Sequence, residues 1–205
     1  MTDPHRVDTV EQLRALLGEP NALTPLKVQP MLDEQARRFI GLSPLLLLAT
    51  ADAAGNLDVS PKGDPAGFVH VADDGTLLIP DRKGNKLLFG LQNLLANPRV
   101  GIVFLLPGTG ETLRVNGTAE ITVDPDTLQR LSARGQPALL AIRVRVEQCF
   151  FHCARAFLRS QLWNPATWPA PQRISFGTLL AAKLGAEPQV AAQIDQVIAD
   201  SYREL

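Results

Sequence analysis

Between Pro44 and Glu147, short apolar or alternating runs are broken again and again by turns rich in Gly, Asp and Pro, and a helical pattern interrupts them only at 85–95 and 125–132. That rhythm constrains the fold more than any other feature of the chain. Strands joined by tight turns pair antiparallel. A doubly wound parallel sheet needs a helix after nearly every strand, and the spacing leaves no room for one. Pro44 to Thr50 reads as a buried strand, Asp52-Ala53-Ala54-Gly55 as a hairpin turn, and Asn56 to Lys62 as the alternating partner. Gly67 to Val71 and Thr76 to Ile79 form a second hairpin around Asp73-Asp74-Gly75. Asn85 to Leu95 reads as a helix with Leu87, Leu88, Leu91, Leu94 and Leu95 on one face, ended by Asn97-Pro98. Val100 to Leu106 is almost wholly apolar, which predicts a strand buried on both faces. A long strand from Thr112 to Val123, a helix from Pro125 to Ser132 and a strand from Ala138 to Glu147 complete the pattern. The expected class is mainly β with helical additions, an antiparallel barrel.

The flanks are helical. Val10, Leu13, Leu16 and Leu17 lie at helical spacing before Gly18, and Leu32 to Ile40 forms a second helix with Asp33 and Glu34 in its first turn. Three further helices are expected at 154–161, 174–183 and 187–202, with the Pro-rich stretch Trp163 to Pro171 between the first two. With 205 residues, 45% of them hydrophobic, the chain can bury one ordinary core. One domain is expected: an extension over 1–43, a barrel core over 44–149 and a helical tail over 150–205.

Charge and composition exclude several roles. The net charge is −1, no long basic block exists and aromatic residues are 5%, which argues against nucleic-acid binding. No apolar run reaches the ~18–20 residues that span a bilayer. Met1 to Arg14 is polar and mixed in charge, so no signal peptide and a cytoplasmic location are expected. The two cysteines, Cys149 and Cys153, do not make a disulfide framework. With His152 they could suggest a metal site, but zinc needs about four ligands and no second Cys/His cluster exists.

Three strings could carry chemistry. In Ser60-Pro61-Lys62-Gly63-Asp64, alternation sets Ser60 and Lys62 on one face and Val59 and Pro61 on the other. This suits either an anionic or electron-rich ligand or a solvated hairpin end. Asp81-Arg82-Lys83-Gly84-Asn85-Lys86 concentrates cations before a helix. There Gly84 permits close backbone approach and Asn85 can cap the helix. A phosphate is the natural occupant, an exposed basic turn the plainer one. The string matches neither a Walker loop nor a Gly-x-Gly-x-x-Gly fingerprint. In Thr112-Leu113-Arg114-Val115-Asn116, three hydrogen-bonding side chains share a face, which fits a ligand or simply a wet sheet face. Arg143, Arg145 and Glu147 alternate in the same way and read as a salt-bridged surface. His152, Arg155 and Arg159 lie at helical spacing and could cover the edge of a ligand. No Ser/His/Asp triad and no paired acids for glycoside chemistry stand out.

Taken together, the ordered strings Ser60 to Asp64, Pro80 to Arg82 and Thr112 to Gly117, with the turn Asn97-Pro98-Arg99-Val100, resemble the pyridoxamine 5′-phosphate oxidase-like split barrels that bind flavin mononucleotide (FMN). The likeness covers Leu45 to Val123, with a further echo in Phe150 to Pro165, and is closest to a branch of FMN-dependent enzymes carrying the same strings. It implies a split β-barrel homodimer with FMN at the subunit interface. Val59, Ser60, Pro61 and Lys62 would run beside the ring and ribityl chain. Arg82 and Lys83, flanked by Pro80 and Asp81, would hold the phosphate with the helix beginning near Asn85. Thr112 stands where the oxidases carry a glutamine near the ring, and Arg114 follows two residues later. A cation beside the ring's N1 and C2 carbonyl would favour its reduced form. The oxidases' Arg-x-x-Leu-Leu-Lys string, pyridoxal-phosphate ligands and Arg-x-His tail are missing, so pyridoxamine phosphate is not the expected substrate. The resemblance implies an FMN-dependent oxidoreductase acting on an unidentified small molecule, with no catalytic residue named. The alternatives are a flavin-binding module without turnover, for storage or sensing, or a haem- or deazaflavin-binding barrel.

Overall fold

The computed structural model describes residues 5–203, and the chain divides after Trp163 into two compact units. The first unit carries strands β1 (Leu45–Ala51), β2 (Leu57–Gly63), β3 (His70–Asp73), β4 (Thr76–Asp81), β5 (Arg99–Leu105), β6 (Thr112–Thr122) and β7 (Leu140–His152). Its helices are α1 (Val10–Leu17), α2 (Glu34–Leu42), α3 (Phe89–Ala96), α4 (Pro125–Arg130) and α5 (Arg155–Ser160). All seven strands pair antiparallel in one sheet of order β2-β1-β5-β6-β7-β4-β3. The sheet curls without closing, because β2 and β3 are left as edges. This is the antiparallel barrel with helical additions that the strand rhythm predicts, split as the resemblance implies.

Alternation builds the interior. Leu46 and Leu48 of β1, Val100, Ile102 and Phe104 of β5, and Leu113 and Val115 of β6 point inward and are buried. Leu77, Ile79, Ile142 and Val144 continue that face across β4 and β7. Helix α2 adds Ala36, Phe39 and Ile40. The Asp33 carboxylate caps its start by accepting from the Ala36 N–H at 2.7 Å. Phe39 meets Phe151 edge-on with ring centroids 5.4 Å apart. Where β6 crosses β7 the register shifts between Asn116 and Gly117, and a Cβ at Gly117 would run into the Arg145 carbonyl. The long β6–β7 pair can bend there only with glycine.

Several local expectations change. Strand β5 is not buried on both faces: Val100, Ile102 and Phe104 are buried while Gly101, Val103 and Leu105 are half-buried, so only one side is fully packed. Helix α3 begins at Phe89, not Asn85. The Asn85 side chain accepts from the Leu87 N–H at 3.0 Å, and Lys86 and Leu88 take left-handed backbone (φ 61° and 60°). This local Asx turn competes with the first helical turn and wins. Strand β7 runs on to His152 because β6 pairs with it as far as Thr112, so His152 ends a strand while Arg155 and Arg159 sit on α5. Arg143 pairs with Glu120, and Arg99 and Arg145 both reach Glu147, the salt-bridged face foreseen there.

The second unit holds α6 (Phe176–Leu184) and α7 (Pro188–Tyr202). Gly177 packs directly against the Ala191 carbonyl. The Asp195 carboxylate accepts from Ser175 Oγ at 2.6 Å and from the Gly177 N–H at 2.8 Å. These two bonds hold the Asp195 carboxyl below its ordinary range. No described helix is long and apolar enough to cross a membrane, and no group of three or more metal-ligating side chains converges among the described residues.

Two outcomes follow. Gly117→Ala should lower stability by about 1–3 kcal/mol through overpacking, seen as a lower urea midpoint with an unchanged slope. Burial, with a smaller contribution from Asp33, pushes the Cys149 thiol up to about 11, whereas Cys153 is exposed. A thiol reagent at mildly alkaline pH should therefore modify Cys153 in the native protein and Cys149 only after unfolding.

Candidate functional site

Strand β2 has a single neighbour in the sheet, and its register against β1 decides what it presents. Lys62 lies opposite Leu46, Ser60 opposite Leu48 and Asp58 opposite Thr50. Cross-strand partners share a face, so these three polar side chains point to the concave side. On an inner strand they would be buried under the next strand. At this edge they face the segment 82–91, and the space between is a pocket of 370 Å³. Ser60, Lys62, Asp81, Arg82 and Lys83 line it, with Leu48, Leu140 and Ile142 as an apolar wall. That volume falls in the range of small-molecule sites, about 300–1,000 Å³.

The cations are held by carboxylates. Lys62 Nζ pairs with Asp81, and both side chains are largely buried. Arg82 Nε donates to Asp64 Oδ2 at 2.8 Å, and Nη2 donates to the Leu131 carbonyl at 2.7 Å. The Asp64 side chain is 3% exposed and also has Arg134 Nη1 at 3.7 Å. Two edges of the Arg82 guanidinium are thus fixed. Among the described residues, Arg82 Nη1 is the one buried side-chain nitrogen or oxygen without a hydrogen-bond partner. An orphaned buried charge-bearing donor is costly, and a ligand acceptor would relieve the cost. Lys83 and Lys86 stand exposed at the rim.

A second hollow of 270 Å³ shares Arg82. Arg130 Nη1 lies 3.3 Å from His70 Nε2 there, and Arg134 leans on Asp64 from a left-handed backbone position (φ 50°). Three arginines and a histidine face one carboxylate, so the hollow carries an excess of positive charge.

Of the residues singled out in the sequence, Ser60, Lys62, Asp81, Arg82, Lys83 and Asn85 come together around the pocket. Val59, Pro61, Pro80, Thr112 and Arg114 do not. Val59 and Pro61 alternate to the outer face, where the register aligns Pro61, Leu47, Val103 and Arg114 in one row. Arg114 is exposed, and its guanidinium carbon is 5.9 Å from the Phe150 ring centroid; Lys27 Nζ is 5.6 Å from the same centroid. Thr112 is buried opposite His152 at the end of the β6–β7 pair. Pro80 is turned away from Asp81 by alternation and pairs with Ala141. Sequence reasoning missed Asp58 and Arg134. Asp58 has the same parity as Ser60 and Lys62, so strand alternation alone could have found it. Nothing local marks Arg134, which a turn brings in from beyond α4.

The family model for pyridoxamine 5′-phosphate oxidase matches residues 32–153, more than half of the chain. No curated protein matches. Among solved structures, HupZ of Group A Streptococcus is 21% identical over 60% of this chain and 100% of its own, with a TM-score of 0.49. An FMN-binding protein of Syntrophomonas wolfei is 14% identical over 58% of this chain and 85% of its own, at 0.47. An F420 reductase is 20% identical over 58% and 98%, at 0.43. With the family model lying over the whole of the split barrel and both walls of the pocket, this chain belongs to the pyridoxamine 5′-phosphate oxidase family.

Proposed function

We propose that this protein binds FMN in the pocket between β2 and the segment 82–91 and serves as an FMN-dependent oxidoreductase on a small molecule. The observation that carries the reading is Arg82. Its Nε and Nη2 are committed to Asp64 and Leu131, and its Nη1 is buried without an acceptor beside a cationic rim. A phosphate oxygen satisfies that donor, and Lys83 and Lys86 add charge where the phosphate enters. The loop carries it, rather than the start of α3, since α3 begins beyond the cationic string.

FMN, when bound, supplies the redox chemistry. The chain's own residues orient it and tune it. Lys62 is the cation nearest the inward face of β2, and its charge, shared with Asp81, is the chain's lever on the potential of a ring lying along that strand. The apolar wall of Leu48, Leu140 and Ile142 excludes water from one side. The cation-rich hollow around Arg130 and Arg134 suits the anionic group of a substrate.

The division of residues between two faces supports a homodimer. Thr112 and Arg114 sit across the sheet from Lys62 in one protomer. A second copy, laying its outer face against the mouth of the pocket, would bring its exposed Arg114 to the flavin beside Lys62. The row of exposed Pro61 and half-buried Leu47 and Val103 gives that contact an apolar centre.

Arg82→Ala should weaken FMN binding by roughly tenfold or more, read by fluorescence titration, because it removes a charge-assisted donor. Equal affinity in the variant would contradict the phosphate assignment. Lys62→Ala should lower the flavin midpoint potential and, because it leaves the largely buried Asp81 carboxylate without its partner, also lower the thermal midpoint. An unchanged potential would remove Lys62 from that role.

A further inference from the structure

Helix α6 meets α7 with its small side. Gly177 and Ala181 are its buried residues, and the Gly177 backbone lies directly against the Ala191 carbonyl. The large apolar side chains of α6, Phe176, Leu179, Leu180 and Leu184, are all exposed. A helical hairpin ordinarily puts such residues into its own seam. Here glycine and alanine make the crossing, and the large residues point away from it. Phe176, Leu180 and Leu184 recur every four residues, so they form one stripe down the helix. The unit Asn164–Leu205 has only these two helices and a short 3₁₀ turn, too little core to leave such a stripe in water.

The residues around the stripe say what covers it. Leu180 is its midpoint. Phe176 and Leu184 lie at equal spacing on either side, and beyond them Arg173 and Glu187 lie at equal spacing again, with opposite charge. That order is complementary to itself when inverted. Two copies of α6 laid antiparallel, with a two-fold axis at Leu180, set Leu180 against Leu180. They bring Phe176 of one copy to the level of Leu184 of the other, and Arg173 to the level of Glu187. A parallel pairing would set Arg173 beside Arg173 and Glu187 beside Glu187. The antiparallel one also opposes the two helix dipoles. We infer that the exposed stripe of α6 is a contact between two copies of this chain, antiparallel and centred on Leu180. Four large side chains per copy are few beside the roughly 1,200–2,000 Å² of a stable interface. The contact therefore rests for its strength on the homodimer proposed for the barrel, which holds the two stripes at high effective concentration, and not on the flavin.

The test is disulfide trapping in the full chain. Leu180→Cys is made in a Cys153→Ser background, since Cys153 is exposed and Cys149 buried. Val197→Cys, at an exposed position on α7, is the control. With oxidised glutathione, Leu180→Cys should form a covalent dimer at least about tenfold faster than the control, because a residue on the two-fold axis meets its own copy. Equal rates, or no covalent dimer, overturn the pairing. Sedimentation of the wild type separates this failure from failure of the barrel contact. A dimeric wild type without the Leu180 disulfide keeps the homodimer and removes the α6 pairing. Selective trapping in a chain that sediments as a monomer keeps the pairing and removes the barrel contact. Should Leu180→Cys not fold, the charges carry the test. Arg173→Glu should raise the dimer dissociation constant about tenfold, two like-charged pairs replacing two opposite ones, and adding Glu187→Arg should restore it. An unchanged constant in the single variant, or no restoration in the double, overturns the inference.

Discussion

The antiparallel register of β2 against β1 is the constraint on which the site depends. One strand-pairing choice sets Asp58, Ser60 and Lys62 on the concave side and Val59 and Pro61 on the other. A slip of one residue would exchange the two sets and erase the pocket. The register is held firmly because β1 is the inner member of the pair. Its Leu46 and Leu48 are packed against Phe104 and Ile102 across β5, and the cost of exposing them fixes which way β2 must face. The apolar core thus positions polar groups that it never touches chemically.

Charge inside the barrel is managed by pairing. Lys62 with Asp81 and Arg82 with Asp64 each join β2 or its end to the end of β4, strands far apart in the sheet order. These pairs draw together the two ends of the open barrel next to the pocket. They also set its polarity. A fully neutralised pair would offer nothing to a ligand, but Arg82 has more donors than Asp64 and Leu131 can use. The surplus donor is what a phosphate meets.

Much of this architecture was legible in the sequence, and the failures have physical causes. The strands, the turns at Gly55 and Gly75 and the inserted helix follow from alternation and turn chemistry, which are local. The Asp81 to Lys86 string and the Ser60/Lys62 parity were equally local, and they do converge. The start of α3 was misplaced because Asn85 serves an Asx turn as readily as a helix cap, and a sequence does not say which contact wins. The two-sided burial of β5 was misjudged because an apolar run records what a strand tolerates, not what is laid over it. Thr112 and Arg114 were grouped with Lys62 by resemblance. Their separation from it appears only once register is known.

The function proposed for the pocket stands or falls on FMN. The most direct measurement is the visible absorbance spectrum of the full chain, purified, mixed with FMN and desalted. Flavin bands should stay with the protein, at up to one FMN per chain. A protein that emerges colourless, and that leaves FMN fluorescence unquenched on titration, would contradict it and leave the split barrel with a different ligand.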